Sequence, residues 1–195
     1  MRSKWMIAFL SLAVGLAAPR AGAAPMAMHA EGSVSGLNTT TNAGYGFGGG
    51  VGFTLTPILS VGLDVSGQKY SIEMGAKVPE DILLGGGNDY LTTALIAARL
   101  QEPNAHGARF FVEAGAGGAR LSHTAEYWAT MNAQPPPRFV VPSRTTDMPA
   151  TMVGAGVQTR PILGGLRLGL SARYQWMWGP DGEVGEKRLG LGVAI

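Results

Sequence analysis

The feature that most constrains the fold of this chain is a strict alternation of apolar and polar residues with a period of two. Between residues 166 and 178, apolar side chains occupy every even position, while Arg, Gly, Ser and Gln occupy most odd positions. The last residues of the chain, 188–195, repeat the pattern. Successive side chains of a β-strand point to opposite faces, so this period predicts strands with one apolar face.

Eight segments are predicted to be strands, and the connections between them alternate in length. The predicted strands are 29–37, 45–55, 58–66, 89–101, 109–119, 152–160, 166–178 and 188–195. Short turns follow the second, fourth and sixth strands, whereas longer connections are expected at 38–44, 71–88, 120–150 and 179–187. Both chain ends then lie on the short-turn side. This layout predicts an all-β fold, an eight-stranded antiparallel up-and-down barrel.

The composition of the polar face indicates which side of the barrel it occupies. The chain has 30 Gly, and only 14% of its residues are charged, against about 25% in soluble domains. Small residues fit a narrow barrel interior, and charges enclosed there need partners. We therefore predict a transmembrane barrel whose apolar residues face lipid and whose interior holds Gly, Ser and a charge network. The predicted network residues are Asp64, Glu113, Arg167, Arg173 and Arg188, with Glu31 and Arg99 as further candidates.

Aromatic residues support the same orientation. Six of them fall on the apolar face at strand ends that join the longer connections: Tyr45, Phe47, Tyr90, Tyr174, Trp176 and Trp178. Membrane barrels carry girdles of aromatic residues where the wall crosses the membrane interface. These six are predicted to form one girdle, and outer-membrane lipids are the predicted partner of this surface.

The N-terminal residues 1–23 have the features of a secretory signal peptide. Arg2 and Lys4 precede an apolar stretch at 5–18, and small residues at 21–23 form a cleavage site. The remaining residues, 24–195, are predicted to be a single barrel domain of an exported protein. Removal of the signal peptide takes three of the 15 basic residues and leaves 12 against 13 acidic ones. A nucleic-acid partner is therefore not predicted.

The C-terminal strand carries the most specific resemblance to a known family. Residues 188–195 follow the spacing polar-x-Gly-x-x-apolar-x-aromatic, except that Ile195 stands in the aromatic position. On this segment and the strand pattern, residues 28–195 resemble the small eight-stranded outer-membrane β-barrel proteins of the OmpA/OmpX type. The resemblance implies location in the bacterial outer membrane. It also implies recognition of the last strand by the barrel-assembly machinery.

Residues suited to catalysis or metal binding are few. The chain has no Cys, and its His residues, His29, His106 and His123, lack the spacing of metal ligands. Ser122, His123 and Glu126 raise the possibility of a lipid A-modifying enzyme, but adjacent strand residues point to opposite faces. We predict no cofactor, no metal and no enzymatic activity.

The predicted role is structural or surface-exposed, and the sequence does not identify an external ligand. Three alternatives remain. The interior charges suit a narrow pore, and the long connections at 71–88 and 120–150 suit an adhesin that binds through its loops. A soluble periplasmic barrel would instead place its large side chains inside and a polar face outside.

Overall fold

The computed structural model describes residues 26–38, 43–72, 82–103, 107–129, 138–162 and 165–195. These residues form eight strands. The strands are β1 (Met26–Leu37), β2 (Ala43–Thr56), β3 (Leu59–Ile72), β4 (Ile82–Gln101), β5 (Arg109–Ala129), β6 (Arg138–Gln158), β7 (Arg167–Gly179) and β8 (Gly182–Ala194). The predicted signal peptide at 1–23 and His106 lie outside the described residues. Within these ranges, no helix has the length and apolar character needed to cross a membrane.

The strands close into one antiparallel barrel in which each strand pairs with its neighbours in the sequence. The last strand, β8, returns to pair with β1, from His29↔Ala194 to Leu37↔Glu186. Closure gives every strand two neighbours, so no lateral edge remains where the whole ring is paired. The predicted all-β, eight-stranded up-and-down barrel is confirmed.

The wall has the predicted orientation. On β7, Leu168 and Leu170 are 44% and 49% exposed, whereas Arg167 and Arg173 are each 5% exposed. On β8, Leu191 is 68% exposed. Large apolar side chains therefore cover the outside of the barrel and charged ones lie inside, which is the opposite of what a soluble periplasmic barrel requires.

The connections at the end of the barrel opposite the two chain ends are shorter than predicted. Most of the predicted connection 120–150 is strand, because β5 and β6 extend far into this segment. Strand β4 includes residues 82–88 of the predicted connection 71–88. The predicted connection at 179–187 is a two-residue turn, Pro180–Asp181, followed by Gly182 with a φ of 121°. Irregularities in the ladders, between Leu84 and Gly87 and between His123 and Ala125, shift the alternation and hide these strands from a period-two analysis.

The barrel has two distinct ends. The end where β2–β3, β4–β5 and β6–β7 connect, and where Met26 and Ile195 lie, is called the short-turn end; the other is the far end. At the far end β6 begins at Arg138, but its ladder with β7 includes only Ala150 to Gln158. Strand β4 likewise extends beyond its ladder with β3.

Three strands therefore project beyond the rest of the wall at the far end. We call this part the raised sheet, and it comprises residues 82–87 of β4, 123–129 of β5 and 138–149 of β6. In it, Pro142 lies where the ladder shifts register between Val141 and Arg144. Proline has no backbone N–H, and an irregular position of this kind tolerates the loss.

Candidate functional site in the barrel interior

Glycines in the wall leave the space that the interior side chains occupy. A Cβ atom on Gly154 would lie 2.9 Å from Cγ of Arg173 and 3.1 Å from Oε1 of Glu113. A Cβ atom on Gly190 would lie 2.8 Å from Oε2 of Glu31. Since real Cβ atoms essentially never lie within 3.0 Å of another heavy atom, a larger residue at either position would displace the charged side chains from their places.

Arg173 on β7 is the centre of the largest charged group. Its guanidinium contacts three carboxylates on three other strands: Nη1 lies 2.6 Å from Oε1 of Glu31, Nε lies 2.5 Å from Oε1 of Glu113, and Nη2 lies 3.3 Å from Oδ2 of Asp64. All four side chains are at most 6% exposed. A buried guanidinium in this geometry connects the opposite walls of the barrel.

Each of these carboxylates also has a second partner. Arg99 places Nη2 2.7 Å from Oε2 of Glu113, and its guanidinium stacks 4.3 Å from the ring centroid of Phe111. His29 places Nε2 2.8 Å from Oδ2 of Asp64. Ser171 donates a hydrogen bond of 3.0 Å to Oε2 of Glu31. The Arg173 cluster is the set of ionisable residues joined in this way: His29, Glu31, Asp64, Arg99, Glu113 and Arg173.

The two other predicted network arginines lie elsewhere. Arg188 contacts Glu186, with Nη2 3.1 Å from Oε2, and Tyr70 donates a hydrogen bond of 2.6 Å to Oε1 of the same carboxylate. Arg167 donates from Nη1 to the carbonyls of Gly107 and Thr159, towards the short-turn end. The five predicted residues are thus buried, but they are divided among three places.

Sequence reasoning missed Glu186 because it falls in the segment predicted as a connection, 179–187. Its position is two residues before Arg188 on β8, so it shares the inward face of that strand. It is fully buried. If the alternation is extended from Arg188 towards the N-terminus, Glu186 is the next charged residue on the same face and the natural partner for that arginine.

The far half of the interior holds an apolar core beside the buried Glu186 and Arg188, and the sequence analysis did not predict this core. Leu91, Leu95, Met148, Met152 and Met177 are each at most 4% exposed and pack into one core. The period-two analysis missed part of this core because β4 is apolar on both faces. It missed another part because the first half of β6 was assigned to a connection. The expectation of an interior of Gly, Ser and charges is therefore incomplete. We call these five side chains the apolar plug.

A cavity of about 370 Å³ occupies the short-turn half. Met26 and Ile195 border it at the rim, and Asp64 and Glu113 of the Arg173 cluster border it at depth. Three glycines without side chains form much of one wall: Gly50, Gly52 and Gly62. The cavity therefore ends at the charged cluster, and the apolar plug lies beyond it.

The six predicted girdle residues lie on the outside of the wall. Tyr45, Phe47, Tyr90 and Trp178 are between 41% and 65% exposed. Tyr174 and Trp176 are half-buried against each other, with ring centroids 4.5 Å apart in an edge-to-face arrangement. That these residues mark a membrane interface stays a prediction.

Ser122 and His123 are on opposite faces of β5. His123 places Nδ1 2.5 Å from Oδ1 of Asp89 on the inner face, while the Ser122 hydroxyl is 3.2 Å from that of Thr145 on the outer face. The serine and the imidazole therefore cannot exchange a proton. The side chain of Glu126 lies outside the described residues. Among those that are described, no group of three His, Cys, Asp or Glu residues could hold a metal ion.

Comparison with known proteins identifies the fold. No protein-family model matches the chain, and no curated protein matches it. Among solved structures, it is similar to Ail, the attachment invasion locus protein of Yersinia pestis, with a TM-score of 0.53 and 14% identity over 87% of this chain and 97% of that one. It is also similar to Neisserial surface protein A, NspA, with a TM-score of 0.56 and 12% identity over 87% of this chain and 96% of that one.

These likenesses and the closed barrel define the class of the molecule. The chain has the fold of the small eight-stranded outer-membrane β-barrel proteins. The resemblance noted from the sequence is confirmed at this level.

Proposed function

We propose that this protein is an integral outer-membrane barrel with a non-catalytic role at the cell surface. The observation that carries the proposal is the apolar outer wall. Leu63, Ile96, Val112, Leu170 and Leu191 are between 48% and 68% exposed on five different strands. A soluble protein rarely exposes a continuous apolar surface of this extent, whereas a lipid bilayer stabilises it.

Heat-modifiable migration of membrane fractions in SDS gels tests the membrane placement. The folded barrel resists SDS without boiling and shifts its migration after boiling, and it partitions into detergent. A product that stays in the aqueous phase and shows no shift would contradict the proposal.

The packing of the interior argues against the alternative of a pore. Leu91, Leu95 and Met177 of the apolar plug are at most 2% exposed, and the Arg173 cluster occupies the next level of the interior. Wild-type protein and an Arg173→Ala variant are both expected to show negligible conductance in planar bilayers. Conductance in the wild type that changes in Arg173→Ala would establish a pore instead.

The raised sheet supports a role in binding. Among the described residues, the ladder of β6 with β7 includes only Ala150 to Gln158, so the β6 edge from Arg138 to Pro149 has no strand partner on that side. Apart from the two prolines, which have no N–H, the backbone groups of such an edge can pair with an extended polypeptide. We propose that this edge, which belongs mainly to the segment first expected to be a loop, binds an extended segment of an external protein.

The similar proteins are consistent with a surface role. Ail is named an attachment invasion locus protein and was solved with the heparin analogue sucrose octasulfate. NspA is named a surface protein. These names describe those proteins, and for this chain they support surface exposure without specifying a ligand.

A shortened variant tests the binding role. Residues 124–143 are replaced by Asn-Gly, which joins the paired residues His123 and Arg144 through a two-residue turn. Bacteria that display the variant are expected to adhere to cultured epithelial cells about tenfold less than bacteria that display the wild type, since whole-cell adhesion depends on many copies of the binding surface. The shortened barrel must keep its heat shift. Undiminished adhesion by a heat-modifiable variant would exclude the raised sheet as the binding surface. A variant that adheres normally to cells but no longer binds heparin would indicate that the raised sheet binds a polyanion instead of a protein.

A further inference from the structure

The cations on the outside of the wall fall into two groups. On the β5–β6 side, Arg120 has a carboxylate partner: its Nε lies 2.6 Å from Oδ1 of Asp147. On the side formed by β8, β1, β2 and β3 the cations are Lys69 and Lys187. Among the described residues, neither lysine has a carboxylate within 4.0 Å.

Lys69 is held between two aromatic residues. It faces outwards, because its neighbours on β3, Gln68 and Tyr70, are buried. Its cross-strand neighbours are Tyr45 on β2 and Tyr90 on β4, and its ammonium lies 5.9 Å from the ring centroid of Tyr90. The lysine therefore has one tyrosine of the predicted girdle on each side.

Lys187 repeats this arrangement on β8. Its neighbours Glu186 and Arg188 are buried, so the lysine faces outwards, and its cross-strand neighbour on β7 is Tyr174. The next outward residues along β8, Leu189 and Leu191, are 52% and 68% exposed. Lys187 thus stands where the apolar outer wall ends, as Lys69 does above Val65.

The described residues supply no carboxylate to either lysine, so both ammonium groups are available to an anion from outside the protein. A lysine at the edge of an apolar belt extends its ammonium towards the lipid headgroups. There the available anions are lipid phosphates, and each such contact stabilises binding by about 1 kcal/mol. Adjacent tyrosine hydroxyls can add hydrogen bonds to the phosphate oxygens.

We propose that Lys69, with Tyr45 and Tyr90, and Lys187, with Tyr174, bind phosphate groups of the surrounding membrane lipids. This inference rests on the proposed membrane placement. It assigns lipid recognition to the side of the barrel that carries the two lysines, because Arg120 on the other side is already neutralised by Asp147.

Native mass spectrometry of the purified barrel in detergent micelles tests the proposal, with phosphatidylglycerol and lipid A as the added lipids. A Lys69→Gln, Lys187→Gln double variant is expected to bind about 25-fold more weakly, since about 1 kcal/mol per lysine corresponds to about fivefold each. Lys69→Arg is expected to retain binding. Arg120→Gln is the matched control: it removes a cation of the outer wall that has its own carboxylate, and it is expected to change lipid affinity less than twofold.

The outcomes separate the possible explanations. Equal lipid affinity in the wild type and the double variant, or an equal loss in Arg120→Gln, would overturn the proposal. Complete displacement of lipid by inorganic phosphate would replace the lipid with a free anion as the ligand, which also contradicts it. Absence of the heat shift in the wild type would instead remove the membrane placement itself.

Discussion

The two halves of the barrel interior are filled in different ways. The half nearer the short-turn end holds the Arg173 cluster above a cavity of about 370 Å³, whereas the far half holds the apolar plug beside one smaller charged group, the pair of Glu186 and Arg188. Both halves are enclosed by the same eight strands. The difference shows that the wall sets only the volume of the interior, and that the inward residues decide whether charge pairing or packing closes it.

Charge pairing makes stability more sensitive to a single substitution than apolar packing does, because each member of the Arg173 cluster depends on the others. A buried carboxylate without its partner loses its hydration and receives nothing in return. A removed apolar side chain instead leaves a void that neighbours can partly fill. Four substitutions test this difference, and they are taken from the largest expected effect to the smallest.

Arg173→Met removes the only side chain that joins Glu31, Asp64 and Glu113 within the described structure. The free energy of unfolding is expected to fall by about 4 kcal/mol, since three carboxylates lose a buried partner. Urea unfolding in lipid vesicles, followed by tryptophan fluorescence, measures the change.

The control for this variant adds Glu31→Gln, Asp64→Asn and Glu113→Gln to Arg173→Met. Neutral amides do not need the guanidinium charge, so the combined variant is expected to be more stable than Arg173→Met alone. Equal stability of the two would show that charge pairing does not hold this half together.

Leu95→Ala opens a void in the apolar plug. Leu95 is 2% exposed, so the loss is expected to be about 3 kcal/mol by the same unfolding measurement. Leu170→Ala, on the outer wall, is the matched control and should lose about half as much, because lipid chains fill the space. A larger loss at Leu170 than at Leu95 would mean that the plug is loosely packed.

Tyr70→Phe removes the hydroxyl that donates 2.6 Å to Oε1 of Glu186. Because Glu186 is fully buried, the free energy of unfolding should fall by about 2 kcal/mol. Tyr45→Phe removes an exposed hydroxyl of the outer wall and should leave stability unchanged. Identical behaviour of the two variants would contradict a structural role for the Tyr70–Glu186 contact.

Arg120→Gln should have the smallest effect. Its ion pair with Asp147 is exposed, with side chains 63% and 67% accessible, and exposed pairs contribute little because water screens them. No measurable change in the urea midpoint is expected. A clear loss would show that the outer wall also depends on charge pairing.

The sequence predicted one half of the interior much better than the other. Arg173, Asp64 and Glu113 stand out because charges at period two among Gly and Ser have few structural explanations other than an enclosed network. Leu95 carries no such signal, since β4 is apolar on both faces. Glu186 and Met148 were missed where register shifts or a tight turn ended the visible alternation, and these irregularities depend on pairing with strands distant in sequence.

The cavity behind Met26 and Ile195 gives the molecule a sidedness. Asp64, His29 and Glu113 line the cavity behind this mouth, and the apolar plug lies on the opposite side of the Arg173 cluster. A membrane-impermeant imidazole reagent added to the compartment at the short-turn end should therefore modify His29, and the same reagent applied to the opposite surface of intact cells should not. This result would establish the cavity as a pocket that faces one compartment rather than as part of a passage between two.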